Sequence, residues 1–173
     1  MMLALFEAKL GSTVKTLALD EWVRFPYELK GEDLLAAHFF IQNLPQRPKL
    51  VLDDITITCQ RETDLKLLET IADRTVCNLS LQIVRVNMKD QLDILEKMSK
   101  HLKSLTLEDC HLTYVSVPQL FQLMKSATKL KTLDLSGNNL HGLKSDQITP
   151  VSSLETLHLL QCSLQLGDIG PVF

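Results

Sequence analysis

Four cysteines and five histidines are the side chains of this sequence best suited to nucleophilic or metal chemistry. Such chemistry needs them to converge, as a C-x-x-C pair or as a cysteine and a histidine at metal-ligand spacing, and neither pattern occurs. We therefore expect no metal and no cofactor, and we expect cysteines that are reduced and buried rather than disulfide-bonded. The nine positions are Cys59, Cys77, Cys110, Cys162, His38, His101, His111, His141 and His158.

Catalytic motifs are also lacking in the sequence. It holds no G-x-S-x-G nucleophile turn, no glycine-rich phosphate loop and no H-E-x-x-H zinc motif. Of the histidines, only His158 is expected at an exposed strand position. The sequence therefore predicts a protein that is not an enzyme, and an enzyme with an unrecognised site is the weakest alternative.

The composition narrows the class of partner. The chain has 173 residues, of which 45% are hydrophobic and 23% charged, as in ordinary folded domains. Its net charge of −3 supplies no basic face for phosphates, so nucleic acid is not expected. No run of about 20 apolar residues could span a bilayer, and Glu7 and Lys9 interrupt the apolar start that would otherwise suggest a signal peptide. We expect an intracellular protein, cytoplasmic or nuclear, with no membrane contact.

The elements that position these residues are set by an internal repeat. Residues 102–112, 130–140 and 154–164 all fit L-x-x-L-x-L-x-x-N/C-x-L without a gap. Five fixed positions that match three times over are the pattern of leucine-rich repeats.

Weaker copies of the repeat precede these three. The first leucine of each central L-x-L serves as a marker, and the sequence predicts a single leucine-rich repeat domain over residues 1–173 with about six repeats. The markers lie at residues 17, 50, 79, 105, 133 and 157, which are 33, 29, 26, 28 and 24 residues apart. Periods near 28 indicate repeats whose return segment is a full helix.

The segments between markers have apolar residues at helical spacing, in residues 33–44, 64–72, 90–98 and 118–124. The predicted fold is therefore α/β: a leucine-rich repeat solenoid, or horseshoe, with parallel strands on the concave face and helices on the convex face. Neighbouring units share one core, because a single unit cannot bury its own leucines. After residue 140, Gly142 and Pro150 predict an irregular connection.

The N/C position of the repeat is where the chain leaves the strand and turns. We expect Asn138 to hydrogen-bond the neighbouring backbone there, and Cys110 and Cys162 to replace it as small buried groups. In the weaker copies the same position is expected to hold Trp22, Ile55 and Val84.

The exposed strand positions are expected to bind the partner. The two residues after each L-x-L include six acids, the residue inside it adds an acid and a histidine, and neither set contains a lysine or an arginine. An acidic concave strip would attract a basic protein partner; a charged face kept for solubility is the alternative. The predicted protein-binding residues are Asp20, Glu21, Asp53, Asp54, Glu108, Asp109, Asp134 and His158.

Both ends of the sequence are apolar, in residues 1–10 and 167–173. Terminal repeats normally carry polar caps that keep the stack soluble. We therefore expect a fragment of a larger repeat protein; the alternative is a chain whose ends are covered by other subunits.

Residues 102–140, with LKSLTLEDCHLT and LKTLDLSGNNL, resemble ribonuclease-inhibitor-type leucine-rich repeats. That type occurs in ribonuclease inhibitor, in the sensor regions of NOD-like receptors of innate immunity, and in PRAME-type substrate receptors of ubiquitin ligases. The resemblance implies a horseshoe fold and protein binding. The sequence holds no nucleotide-binding loop and no F-box-like helical module, so neither the receptor role nor the ligase role carries over residue by residue.

The predicted function is a non-catalytic protein–protein interaction module, an adaptor or sensor that binds a protein on its concave face. The alternative is a structural subunit of a larger assembly whose apolar ends are covered by other chains.

Overall fold

The computed structural model describes residues 22–23, 28–43, 49–50, 52–72 and 76–165, in which short strands alternate with helices. None of the described helices is long and apolar enough to cross a bilayer. The strands are β1 (Trp22–Val23), β2 (Glu28–Lys30), β3 (Lys49–Leu50), β4 (Leu52–Asp53), β5 (Thr56–Cys59), β6 (Val76–Cys77), β7 (Leu79–Val84), β8 (Leu102–Glu108), β9 (Thr132–Asp134) and β10 (Thr156–His158). The helices are α1 (Gly31–Asn43), α2 (Glu62–Ala72), α3 (Asp93–Met98) and α4 (Ser116–Met124), with 3₁₀ turns at Ser99–His101 and Ser145–Gln147.

Six of these strands form one parallel sheet in the order β2-β5-β7-β8-β9-β10, and the sheet is not closed. The strands follow chain order because each return segment brings the next strand alongside the last. Two short parallel pairs, β1 with β3 and β4 with β6, lie outside this sheet. The result is a mixed α/β arrangement, as the repeat pattern predicted.

The inward side chains of the sheet and the apolar sides of the helices form one core. Leu105 and Leu133 of the sheet are fully buried, as are Leu34, Leu68 and Leu120 of the helices. Each helix contacts the next, from α1 through to α4. Because each fully buried leucine stabilises the fold by about 1.5–3 kcal/mol, the periodic leucines suffice to select this arrangement.

The strand register aligns one inward residue from each of the six strands. The interval between successive members is 28, 24, 24, 28 and 24 residues, so the structural repeat is more even than the sequence markers suggested. The aligned residues are Leu29, Ile57, Leu81, Leu105, Leu133 and Leu157.

The register corrects the marker expected at Leu79. Leu81, two residues later, pairs with Leu105, and Ile83, expected on the exposed face, is fully buried. The segment from Leu79 to Ile83 alternates apolar and polar residues, and a shift of two positions keeps the same residues inward. The L-x-L pattern alone therefore cannot choose between the two frames.

The marker expected at Leu50 is also displaced. Leu50 lies in β3, which pairs with β1, whereas the sheet takes Ile57 of β5 as its inward residue. Thr56 to Cys59 provide the alternation of polar and apolar residues that a half-buried strand requires. The marker expected at Leu17 lies outside the described residues.

The connection from β9 to β10 is irregular, as Gly142 and Pro150 predicted. Its one regular element is the 3₁₀ turn at Ser145–Gln147. Gly142 has a φ of +86°, in the left-handed region that favours glycine. No α-helix therefore backs the step between these two strands.

Candidate protein-binding surface

The exposed face of the six-stranded sheet carries two rows of side chains that run across the strands. Equivalent residues on neighbouring strands lie about 4.8 Å apart. The first row, here called the hydroxyl row, consists of Thr56, Ser80, Ser104, Thr132 and Thr156. The second, here called the mixed row, consists of Lys30, Thr58, Gln82, Thr106, Asp134 and His158.

Short side chains leave the middle of this face open. From β5 to β10 the hydroxyl row has nothing larger than threonine, and its members are half-buried except for the exposed Thr156. In the mixed row the Thr58 hydroxyl donates to Gln82 Oε1 over 3.4 Å. A partner's side chains can therefore approach the strands closely along the whole row.

Four of the predicted site residues lie on the neighbouring strands β8, β9 and β10. Glu108 ends β8 and Asp109 follows it, and both side chains are exposed. Asp134 faces His158 across the β9–β10 register. The Asp134 carboxylate accepts a hydrogen bond from the backbone N–H of Ser136 at 2.9 Å, which leaves its second oxygen for a partner.

Asp54 lies at the opposite end of the strands from this group. It precedes β5, and its carboxylate is 3.4 Å from Nζ of Lys103, near the start of β8. Lys103 and Glu108 are five residues apart along β8, or about 17 Å. Asp54 is therefore partly neutralised, and it does not share one strip with Glu108.

The remaining predicted site residues add nothing to this geometry. Asp53 belongs to β4, where it aligns with Cys77 of β6 outside the six-stranded sheet. Asp20 and Glu21 lie outside the described residues.

The ends of the strands are held in place by Asn138, which is 1% exposed. Its Oδ1 accepts hydrogen bonds from the backbone N–H groups of Cys110 and Leu112, both at 3.0 Å. Its Nδ2 donates to the carbonyls of Leu107 and Leu135 at 2.7 Å. One amide thus joins two neighbouring turns, as expected for the N/C position of the repeat.

Cys110 and Cys162 serve the same position with a single donor each. The Cys110 thiol donates to the carbonyl of Ile83 at 3.2 Å, and the Cys162 thiol donates to the carbonyl of Leu135 at 3.2 Å. Both are buried and free, as is Cys59. After β7 the equivalent residue is the buried Val86, not Val84 as expected, because the frame shifts by two residues.

Burial keeps these thiols protonated. It raises the pKa of Cys59 to about 12, with a further contribution from the charge of Asp64, and it raises the pKa of Cys110 to about 11. The pKa of Cys162 is also raised by burial. Among the described residues, no three His, Cys, Asp or Glu side chains are grouped to hold a metal ion. Cys110 and Cys162 act as structural hydrogen-bond donors.

Beyond the mixed row, each of four strands turns through a residue in the left-handed region. Arg85, Asp109, Gly137 and Gln161 have φ values of 58°, 52°, 76° and 56°. Backbone hydrogen bonds keep these turns aligned. The N–H of Asp109 donates to the carbonyl of Ser136 at 3.0 Å, and the N–H groups of Arg85 and Gly137 donate to the carbonyls of Glu108 and Leu160, both at 2.9 Å. A cleft of about 430 Å³ lies at these turns, lined by Arg85, Glu108, Asp109, Ser136, Gly137, Leu160 and Gln161.

Sequence reasoning missed Arg85 and Leu160 as parts of this surface. Arg85 falls at an exposed turn position only in the frame that begins at Leu81. No sequence signal selects that frame, because Val84 and Val86 have the same spacing in the frame that begins at Leu79 as Val86 and Met88 have in this one. Leu160 was expected at an exposed position but carries no charge, and it is 70% exposed.

A comparison with known families finds a leucine-rich repeat. The family described as Leucine Rich Repeat matches residues 129–150, which include β9, Asn138 and most of the connection to β10. No curated protein sequence matches the chain. The matched repeat is a unit typical of non-catalytic interaction modules, and it indicates protein partners in general.

Proposed function

We propose that this protein is an interaction module of the leucine-rich repeat type, with one repeat domain over residues 1–173, and that it binds a protein partner on the exposed face of its sheet. The stack is proposed to curve as a horseshoe with the strands on its concave side. The observation that carries this proposal is the hydroxyl row. Five short side chains in register form an open track across neighbouring strands, about 20 Å from end to end.

The proposed partner presents a basic surface. Glu108, Asp109 and Asp134 lie along one side of the track, toward the carboxyl ends of β8 and β9, and no lysine lies beside them on β8–β10 in the mixed row or beyond it. Among the described residues, the cation that meets this group is Arg85, whose Nε is 4.0 Å from the Asp109 carboxylate. Complementary charge of this kind raises association rates and sets orientation. Asp54, Asp53, Asp20 and Glu21 remain proposed as weaker contributors to the same field.

The proposed setting is intracellular. Cys59, Cys110 and Cys162 are free thiols in the core, which supports a reducing compartment. An adaptor or sensor role within a larger repeat protein fits this setting, and it is proposed on the sequence resemblance alone.

The track is tested with two matched double variants that each add two positive charges. Ser104→Arg and Thr132→Arg fill the hydroxyl row, whereas Thr63→Arg and Thr128→Arg alter exposed residues outside the sheet. Crosslinked partners of the wild-type chain are quantified by mass spectrometry for all three proteins. We expect the sheet double variant to capture at least about tenfold less partner, since a blocked interface typically loses more than about 1.4 kcal/mol of binding free energy. The control variant should capture as much partner as the wild type.

Circular dichroism of each variant checks that the fold is kept. A folded sheet variant that captures the partner as well as the wild type does would disprove binding on this face.

A structural subunit is the second candidate. Leu157, Leu159 and Leu164, at the β10 end of the sheet, are only partly buried, although the equivalent leucines of β8 and β9 are fully buried. Another chain could cover this end. Light scattering distinguishes the candidates: a well-behaved monomer favours the module, and recovery of a stable species only with a co-expressed partner favours the subunit.

A further inference from the structure

The cleft at the strand turns is formed by a gap in two rows of side chains. At the last two exposed positions, β8 carries Glu108 and Asp109, and the end of β10 carries Leu160 and Gln161. Between them, the turn after β9 carries only Ser136 and Gly137. Two small residues flanked by larger ones on both sides leave a notch one strand wide. The flanking strands are about 10 Å apart, which suits a single inserted side chain.

The notch is fixed by the backbone rather than by side-chain conformation. Gly137 has a φ of +76°, and a Cβ there would lie 3.2 Å from the backbone nitrogen of Asp109. The Ser136 hydroxyl accepts a hydrogen bond from the N–H of Leu160 at 3.2 Å, so it is held near the β10 backbone. A side chain at position 137 therefore cannot close the gap without strain.

One wall of the notch is acidic and incompletely paired. Glu108 forms no ion pair with any residue that the structure describes. Asp109 meets Arg85 only at 4.0 Å, with the Arg85 side chain 79% exposed. Arg85 lines the same cleft from the β7 side of Asp109, and the only described carboxylate it pairs with is that of Asp109, so the Glu108 carboxylate is open to another cation.

The other wall is apolar. Leu160 is 70% exposed, the highest value among the large hydrophobic side chains of the described residues. An aliphatic chain laid against it would remove apolar surface from water. A side chain with an apolar stem and a cationic head would contact both walls at once, as long basic side chains do at mixed surfaces.

We propose that this notch binds one arginine or lysine side chain of the protein partner. The stem packs against Leu160 and the cation lies between the carboxylates of Glu108 and Asp109. This inference rests on the proposed function, since it assigns one contact within the larger interface. It also explains why an acidic wall, an apolar wall and an obligatory glycine occur at the same strand end.

The probe is the peptide acetyl-Ala-Arg-Ala-amide, compared with its citrulline analogue, which has nearly the same shape and no charge. Binding to the whole chain is followed by the amide shifts of Ser136, Gly137 and Gln161 in nitrogen–proton correlation spectra. We expect saturable shifts confined to these amides and a dissociation constant at least about threefold lower for the arginine peptide, as for one exposed ion pair. Equal binding of the two peptides, or shifts scattered over the surface, would overturn the assignment.

Three variants sharpen the assignment. Glu108→Gln removes the unpaired carboxylate, and Ser136→Leu fills the notch without changing the charge. Both variants should bind the arginine peptide at least about threefold more weakly than the wild type does. Glu96→Gln removes an exposed carboxylate on α3, outside the sheet, and should leave binding within measurement error. If Glu96→Gln weakens binding of the peptide as much as Glu108→Gln does, the effect is one of general charge and the notch is not the site.

The outcome also separates this inference from the proposed function. Loss of the cellular partner in the Ser104→Arg and Thr132→Arg variant, with full retention in Glu108→Gln and Ser136→Leu, would keep the interaction surface and refute the notch. Peptide binding at the notch without any effect of the hydroxyl-row variant on the partner would refute the proposed face instead.

Discussion

Asn138 shows how one side chain can determine where a strand ends. Its amide is buried and makes four strong hydrogen bonds to the turns of β8 and β9. Cys110 and Cys162 occupy the same position, and each thiol donates a hydrogen bond to a backbone carbonyl. A thiol sulfur is a weaker acceptor for backbone N–H groups than an amide oxygen is. Asn138 should therefore contribute more to stability than either cysteine.

Replacing Asn138 by alanine is expected to destabilise the fold by about 2–4 kcal/mol, because the N–H groups of Cys110 and Leu112 would be left buried without an acceptor. The neighbouring Asn139→Ala changes an exposed residue and should cost less than about 0.5 kcal/mol. Urea unfolding followed by circular dichroism measures both. Similar costs for the two variants would contradict the role assigned to Asn138.

The buried thiols make stability depend on pH in the alkaline range. The folded-state pKa of Cys59 is about 12 and that of Cys110 about 11, against an ordinary value of 9.0. A raised pKa means that the folded state favours the protonated thiol, so the stabilisation is complete below pH 9 and is lost as the pH rises toward 11 and 12. Each thiol should lower the free energy of unfolding by up to about 1.4 kcal/mol per pH unit over that range.

The measurement is the slope of unfolding free energy against pH, from pH 8 to 10.5, for the wild type and for Cys59→Ala. All other titratable groups are the same in both proteins, so the difference in slope isolates the thiol. A variant slope equal to the wild-type slope would show that Cys59 is not buried as a neutral thiol.

At the scale of single elements, the sequence predicted the existence of strands better than their register. The three repeats from Leu102 onward contain every fixed position of the pattern, and their strands align as expected. In β7 the apolar residues recur every second position for longer than the strand needs, so two frames bury the same side chains. Only the packing of Val86 and Met88 beneath the following turn selects between them.

The register of β7 gives a sharp prediction. Ile83→Lys should unfold the protein or destabilise it by more than about 4 kcal/mol, because it places a charge in the core next to Leu107. Gln82→Lys, one residue earlier on the exposed face, should change stability by less than about 0.5 kcal/mol. Thermal unfolding of both variants distinguishes the two frames. If Ile83→Lys left the stability unchanged, the frame that begins at Leu79 would be supported instead.

At the scale of the whole molecule, the fold class followed from the sequence, whereas the arrangement of the site did not. Periodic leucines dictate a parallel sheet and a shared core, because no unit can bury its leucines alone. The acids were expected to form one strip, but the sheet takes Ile57 rather than Leu50 as the inward residue of this repeat, and Asp54 therefore lies at the far edge beside Lys103. Surface geometry depends on register, and register depends on contacts between units that no single repeat encodes.

Stability should also vary along the stack, because each strand is supported mainly by its neighbours. β8 has a strand on both sides and its Leu105 and Leu107 are fully buried, whereas β10 pairs only with β9 among the described strands and its Leu157 is partly exposed. Local opening therefore requires less free energy at β10. We expect the Thr156 amide, which donates to the carbonyl of Lys131, to exchange with solvent at least about tenfold faster than the Leu107 amide, a difference of about 1.4 kcal/mol.

Native-state hydrogen exchange by nuclear magnetic resonance tests this gradient, and Leu157→Ala tests its cause. Because repeats contact only their neighbours, the variant should speed exchange strongly in β10, less in β9, and little in β5. A uniform increase across β5 to β10 would mean that the sheet opens only as a whole. In that case β10 would be no less stable than the strands inside the sheet, in spite of its partly exposed leucines. A second chain would then not be needed to stabilise this end.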